Sequence, residues 1–249
     1  DMEKLRGSFI EFLHNLPFYG LSILCIDDPG IKRILGHVSR SVMTYGVDAA
    51  ADVQAKNIEF DGLKSGFDVI RKDHDQPLHI SLALPGVHNV RNALAAIAVA
   101  TELQVSDDHV VRALNNFEGI ERRFQTLGKV RTKNATVMLV DDYGHHPAEI
   151  LATLATAKTV WPDRRLIVIF QPHRYSRTQY LLENFYSSFN DADKLILLDF
   201  YGAGEKPIEG INSRKLAKGI REYGHKNVEY IEDADSLVPQ PVSYTHLRA

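Results

Sequence analysis

From residue 125 onward the sequence alternates between short apolar runs and longer amphipathic segments, and this alternation restricts the fold more than any other feature of the chain. The runs predict strands over 135–141, 165–171, 194–200 and 227–231. The segments between them predict helices over 147–158, 177–190 and 213–223, with Ser213 as an N-cap and Gly224 as a stop. Strand, helix, strand in succession predicts a parallel sheet with right-handed crossovers, because parallel neighbours need a long connection and a helix packs back on the sheet with one hand. Such a sheet presents its chemistry in the loops at the carboxyl ends of its strands.

The preceding residues have a different rhythm. Leu5, Phe9, Phe12, Leu13 and Leu16 recur at helical spacing and predict an amphipathic helix over 2–16, and Leu21 to Ile26 predicts a strand. Asp27-Asp28-Pro29-Gly30 is a turn signal, a structural use for both aspartates. A helix over 31–38 and a brief strand over 42–45 follow. Strand-like pieces over 53–60, 67–71 and 78–84 then predict a small antiparallel sheet, with His79 on its solvated face. An alanine-rich helix is predicted over 90–103. Asn89 is its expected N-cap, whereas Asn92, a polar amide in the first turn, is expected to face a ligand or a loop. A further helix runs from Ser106 to Phe117, and Gly119-Ile120-Glu121-Arg122-Arg123-Phe124 marks a domain junction. The pattern stops at Val238, so 238–249 is expected to be a disordered tail or a foreign junction.

Composition sets outer bounds. Apolar residues make up 44% and charged residues 24% of 249, the balance of a globular chain of one large or two ordinary domains. A net charge of −3 argues against a general nucleic-acid or membrane surface, and no apolar run is long enough to span a bilayer. A single cysteine, Cys25, rules out an intrachain disulfide framework and fits a small buried hydrophobe in a cytoplasmic protein. The start at Asp1 suggests a cut from something longer.

Two loops concentrate the chemistry. Asp141-Asp142-Tyr143-Gly144-His145-His146-Pro147 follows the apolar run Val137–Val140. A strand end, a tight turn and proline at the first helical position account for Gly144 and Pro147, but less well for Asp-Asp and His-His. Gln171-Pro172-His173-Arg174-Tyr175-Ser176-Arg177-Thr178 follows Leu166–Phe170, and a parallel sheet would bring it out on the same edge. Arg174 and Arg177 are three apart, and guanidinium forks suit carboxylate or phosphate oxygens. A third, glycine-containing loop over 199–207 belongs to that edge and is expected to be flexible. Nowhere is there a phosphate-binding Gly-x-x-x-x-Gly-Lys-Ser/Thr, a zinc spacing or a Gly-x-Ser-x-Gly elbow.

Four segments in order, Leu84–Ala96, Gly119–Phe124, Asp141–Pro147 and Phe170–Thr178, resemble the Mur ligases of bacterial cell-wall synthesis over about residues 1–237. The second pair resembles the branch that joins L-alanine to UDP-N-acetylmuramate. The resemblance implies an α/β chain: a partial central mononucleotide-binding domain with a small antiparallel sheet over 1–122, then a Rossmann-like parallel-sheet C-terminal domain over 123–237. It implies ATP-dependent amide formation through an acyl phosphate in the cytoplasm, with UDP-N-acetylmuramate and L-alanine as partners, no nucleic acid and no membrane. Asn89, Asn92, Arg123 and Asp142 are implied at the nucleotide, and Arg123, Asp142 and His145 in catalysis. Tyr143, His146, His173, Arg174 and Arg177 are implied along the alanine and muramoyl side. Closure between the domains would join the two sets. No metal ligand is implied here: the Mg²⁺ ligands, like the phosphate loop and the UDP domain, belong to an N-terminal part that this sequence lacks, so the fragment alone is expected to be inactive. The alternatives are a non-catalytic nucleotide- or anion-binding module, the related ligase that attaches a recycled peptide, and a metal hydrolase using His145 and His146.

Overall fold

The computed structural model describes residues 2–48, 50–132, 135–232 and 247–248. The chain divides into two compact units, Asp1–Glu118 and Gly119–Ala249.

The first unit is organised on one five-stranded mixed sheet, β1 (Leu21–Cys25), β2 (Ser41–Gly46), β3 (Val53–Asp61), β4 (Lys64–Arg71) and β5 (Leu78–Leu82), in that spatial order. β1, β2 and β3 are parallel neighbours, and β3, β4 and β5 are antiparallel. The antiparallel pieces therefore continue the parallel strands as one sheet. The β1–β2 crossover carries α2 (Pro29–Leu35), started by Asp28, whose carboxylate accepts from the Gly30 and Ile31 N–H groups. Along β5, Leu78, Ile80 and Leu82 are buried while His79 is exposed beside Asp68.

Helix α3 (Val87–Glu102) covers the sheet with Val90, Ala93, Leu94, Ile97 and Ala98, packed with Val53, Phe67, Val69 and Ile80. Each large side chain buried there stabilises the unit by about 1.5–3 kcal/mol relative to exposure. The N-cap of α3 is Gly86 at φ +96, not Asn89. The chain enters the helix through a conformation open to glycine, and Asn89 lies inside the first turn, its amide donating to the Pro85 carbonyl. α4 (Asp107–Asn115) is tied to the sheet by a two-pronged ion pair between buried Arg71 and Asp107. α1 (Met2–His14) seats Leu13 and Ile10 against Leu24 and Ile34 but leaves Leu5, Phe9 and Phe12 exposed, so most of its predicted apolar stripe is uncovered.

The second unit contains two three-stranded sheets. β8 (Ile167–Phe170), β9 (Lys194–Leu197) and β10 (Val228–Tyr230) pair in parallel in the order β10-β9-β8. β6 (Gln125–Arg131) and β7 (Thr136–Asp141) form an antiparallel pair, and β11 (Leu247–Arg248) adds in parallel to Val140 and Asp141 of β7. The strand before the first site loop is therefore not a hydrogen-bonded neighbour of the strand before the second. β6 was not predicted. It is largely exposed, with Leu127 and Val130 on the surface, so it lacks the periodic burial that signals a strand. Of the expected tail, 238–246 and 249 lie outside the described residues.

Helices α5 (Pro147–Val160), α6 (Tyr175–Tyr180), α7 (Leu182–Ser187) and α8 (Ser213–Glu222) complete the unit. The helix predicted over 177–190 is two short ones broken at Leu181 (φ −114, ψ 19). α8 is capped by Asn212, whose side chain accepts from the Lys215 N–H; Ser213 is inside the helix and buried. Phe170, Phe185 and Phe189 pack together with centroids 5.1 and 6.0 Å apart beneath the carboxyl end of β8.

Candidate functional site

The loop after β7 is shaped by Asp142. Its residue is 7% exposed, and its two carboxylate oxygens accept from Gly144 N–H at 2.7 Å and Phe124 N–H at 2.9 Å. Phe124 and Arg122 both have positive φ, +47 and +60. Tyr143 N–H closes the same bracket on the Arg122 carbonyl at 2.6 Å. Asp142 thus holds the Arg122–Phe124 bend against the loop. Beside it, the Arg122 guanidinium lies 4.8 Å from the Tyr143 ring centroid and 3.4 Å from Asp141.

Past the turn, His146 is the N-cap of α5. Its Nδ1 accepts from the Ala148 N–H at 3.2 Å, and Pro147 opens the helix. Glu149, three residues on, reaches back so that one carboxylate oxygen accepts from both His145 N–H (3.0 Å) and His146 N–H (3.1 Å), a capping box. Burial raises the Glu149 carboxyl, but the His145 N–H and imidazole, the His146 N–H and Arg123 together bring it below the usual value. Arg123 is 3.5 Å from Glu149. His145 Nδ1 is 2.9 Å from the Tyr143 carbonyl. A carbonyl only accepts, so that nitrogen carries the proton.

The second loop is held from the other direction. Arg174, at φ +67, donates its N–H to the Tyr201 carbonyl, and Tyr201 bridges to His173. Glu205 accepts from the Ser176 N–H and hydroxyl, which hold its carboxyl below the ordinary value. The loop over 199–207, expected to be flexible, is therefore fastened to the start of α6. Arg174 and Arg177 do not project as a pair. Arg174 is exposed, while Arg177 turns back and donates to His173 Nδ1 at 3.1 Å. Burial, then Arg177, His145 and Arg174, hold the His173 imidazole below its ordinary pKa.

The two loops meet although their strands are not paired. The His145 and His173 ring centroids are 5.9 Å apart, with Tyr143 4.9 Å beyond His145 and Tyr201 5.4 Å beyond His173. Of the residues expected here, Tyr143, His145 and His173 stand in this row, Arg177 donates to His173 from beside it, Arg174 is exposed, and His146 is occupied as a cap. Sequence reasoning missed Glu149, whose signal was its place three residues after a cap, and Tyr201, an aromatic just past a strand end.

Asn89 and Asn92 lie on α3 of the first unit, Asn89 half-buried and Asn92 exposed. Arg123, in the second unit, is half-exposed beside Glu149. Each Asp142 oxygen accepts one backbone N–H, so the carboxylate has a structural part in the turn. Among the described residues no three of His, Cys, Asp and Glu gather as a group that could hold a metal ion. Among the same residues no helix is long and apolar enough to cross a membrane.

Residues 1–100 match the Mur ligase middle domain, and residues 122–245 match the domain described as Mur ligase, glutamate ligase domain. The fold is similar to that of the UDP-N-acetylmuramate-alanine ligase MurC of Thermotoga maritima, at 24% identity and TM-score 0.73, over 100% of this chain and 51% of that one. It is also similar to a murein peptide ligase of Psychrobacter arcticus (24%, TM-score 0.69, 99% and 51%) and to MurF of Acinetobacter baumannii (18%, 0.71, 99% and 52%). The chain spans about half the length of these solved structures.

Proposed function

From a chain that belongs to the Mur ligases, matching their middle domain over 1–100 and their C-terminal domain over 122–245, we propose a part in ATP-dependent amide formation on a UDP-muramoyl precursor of peptidoglycan, with L-alanine as the amine. Residues 1–122 are read as part of the central ATP-binding domain and 123–237 as the C-terminal ligase domain. The observation that carries the reading is the meeting of His145 and His173 at 5.9 Å, with Arg174 and Arg177 around them: two imidazoles and two guanidinium groups suit a small substrate bearing an amine and a carboxylate. ATP, when bound, supplies the phosphoryl group that turns the muramoyl carboxylate into an acyl phosphate. This chain's share is to hold the amine donor and to keep cationic groups at the reacting carbonyl. Alanine is favoured over a peptide by the Phe170–Thr178 segment, which resembles the alanine-adding branch.

The test uses the complete product of the gene that encodes this chain. Phosphate release should require UDP-N-acetylmuramate and L-alanine together. Release with a tripeptide but not with alanine would assign the peptide-recycling reaction, and release with neither would overturn the proposal.

A further inference from the structure

The row of rings contains two imidazoles in opposite states. His145 Nδ1 faces the Tyr143 carbonyl and carries a proton; His173 Nδ1 faces an Arg177 donor and carries a lone pair. In the neutral rings, Nε2 is then an acceptor on His145 and a donor on His173, and no hydrogen bond within the described residues occupies either Nε2. The surroundings differ in sign as well. His145 is faced by the Glu149 carboxylate at 3.7 Å from α5, by Tyr143 from its own turn and by His173 from the loop after β8. His173 is faced by Arg177 and Arg174, by His145 and by Tyr201, with the Glu205 carboxylate also acting on it. Of the two rings, His145 is the one with a carboxylate, that of Glu149, within 3.7 Å.

Resting on the ligase reading, we propose that Glu149 is a positioning residue that sets His145 with its proton on Nδ1, leaving Nε2 as the base for the incoming amine, while His173 donates from Nε2 to an oxygen of the same substrate. Glu149 acts through the backbone: by accepting from His145 N–H and His146 N–H it fixes the turn in which the Tyr143 carbonyl meets the ring. The step is a single proton transfer. The N–H bond of the substrate ammonium breaks and its electron pair stays on nitrogen as the nucleophilic lone pair. The proton bonds to His145 Nε2, giving an imidazolium whose second proton remains on Nδ1. The acceptor and donor pair selects an amino acid presenting ammonium and carboxylate together.

The test begins with the ¹⁵N-labelled chain and long-range ¹H–¹⁵N correlation of its imidazoles above pH 8, the two rings being assigned by loss of signals in His145→Gln and His173→Gln. His145 should show protonated Nδ1 and bare Nε2, and His173 the reverse. In Glu149→Ala the His145 pattern should move toward mixed tautomers. Glu149→Gln, whose amide oxygen accepts the same two N–H groups, should restore it. A helix cap with no other role would lower stability without moving the His145 tautomer. Protonated Nε2 on His145 in the unaltered chain, or an unchanged pattern in Glu149→Ala, overturns the proposal; the first needs no variant to fold. In the gene's complete product, Glu149→Ala should lower kcat about 10- to 100-fold, part of the roughly 10²–10⁴ a placed base contributes, with KM for the amino acid within about threefold and recovery in Glu149→Gln. An effect on KM alone overturns the positioning role. A wild-type product that shows these tautomers yet forms no amide overturns the ligase reading alone.

Discussion

Removing the Asp142 carboxylate should unfold the second unit far more readily than its size suggests. The side chain is buried and accepts two backbone N–H groups, at 2.7 Å from Gly144 in the loop after β7 and at 2.9 Å from Phe124 in the bend that opens the unit. Hydrogen bonds to a charged acceptor contribute about 1.5–3 kcal/mol each, and a buried N–H left without a partner costs a similar amount. Asp142→Ala should therefore cost about 3–5 kcal/mol, and Asp142→Asn, which keeps one acceptor oxygen, about half of that. The reporter is already in place. Trp161, the chain's single tryptophan, stacks on Phe124 with centroids 5.8 Å apart, and Phe124 is one of the two residues Asp142 holds. With a urea slope of about 2 kcal/mol per molar, the Trp161 fluorescence midpoint should fall by about 1.5–2.5 M in Asp142→Ala. His145→Ala, which removes a ring but no buried acceptor, should move it little. A shift below about 0.5 M in Asp142→Ala would refute the claim that this carboxylate builds the turn.

The first unit should be acid-sensitive through Asp107, whose carboxyl is held below the ordinary range chiefly by its hydrogen bond to Arg71. A depressed folded pKa means that the stabilisation is fully present above the unfolded value of about 4 and is lost as pH falls through the folded one, so Asp107→Asn should flatten the circular-dichroism melting curve between pH 5 and 3. Gly219 lies against the Tyr186 ring, which a Cβ would strike, so Gly219→Ala should destabilise the second unit by about 1–3 kcal/mol in the Trp161 assay; a neutral effect would show that the ring moves aside freely. Arg177→Ala should let the His173 imidazole titrate at higher pH, because a facing positive charge is removed, and should raise the alanine KM of the complete enzyme; an unmoved imidazole titration would deny the contact.

The site was legible in the sequence where polar residues followed an apolar run without a structural excuse. His145 and His173 stood out in this way, and both lie in the row of rings. His146 stood out equally, yet its ring caps a helix, because a histidine with a lone pair on Nδ1 can do the work of Ser or Asn at that position. Glu149 was hidden for the opposite reason: an acidic residue in the first turn of a helix is ordinary, and only its reach to two backbone N–H groups distinguishes it. The Arg174 and Arg177 spacing suggested a fork, but Arg174 sits at a positive φ before a short helix and Arg177 folds back on His173.

Local order along the chain determined which segments became strands and helices, since burial period, proline and glycine act within a few residues of themselves. That much placed α3, α5 and the parallel strands β8, β9 and β10 close to their observed bounds. Which strands became neighbours, which nitrogen of each imidazole kept its proton and which arginine faced a ring were decided only in the folded chain. Strand neighbours and the meeting of the loops depend on contacts between residues distant in sequence, such as Asp142 with Phe124 and His173 with Tyr201. The ring contacts of His145 with the Tyr143 carbonyl and of Arg177 with His173, though local in sequence, depend on turn backbone that those distant contacts hold.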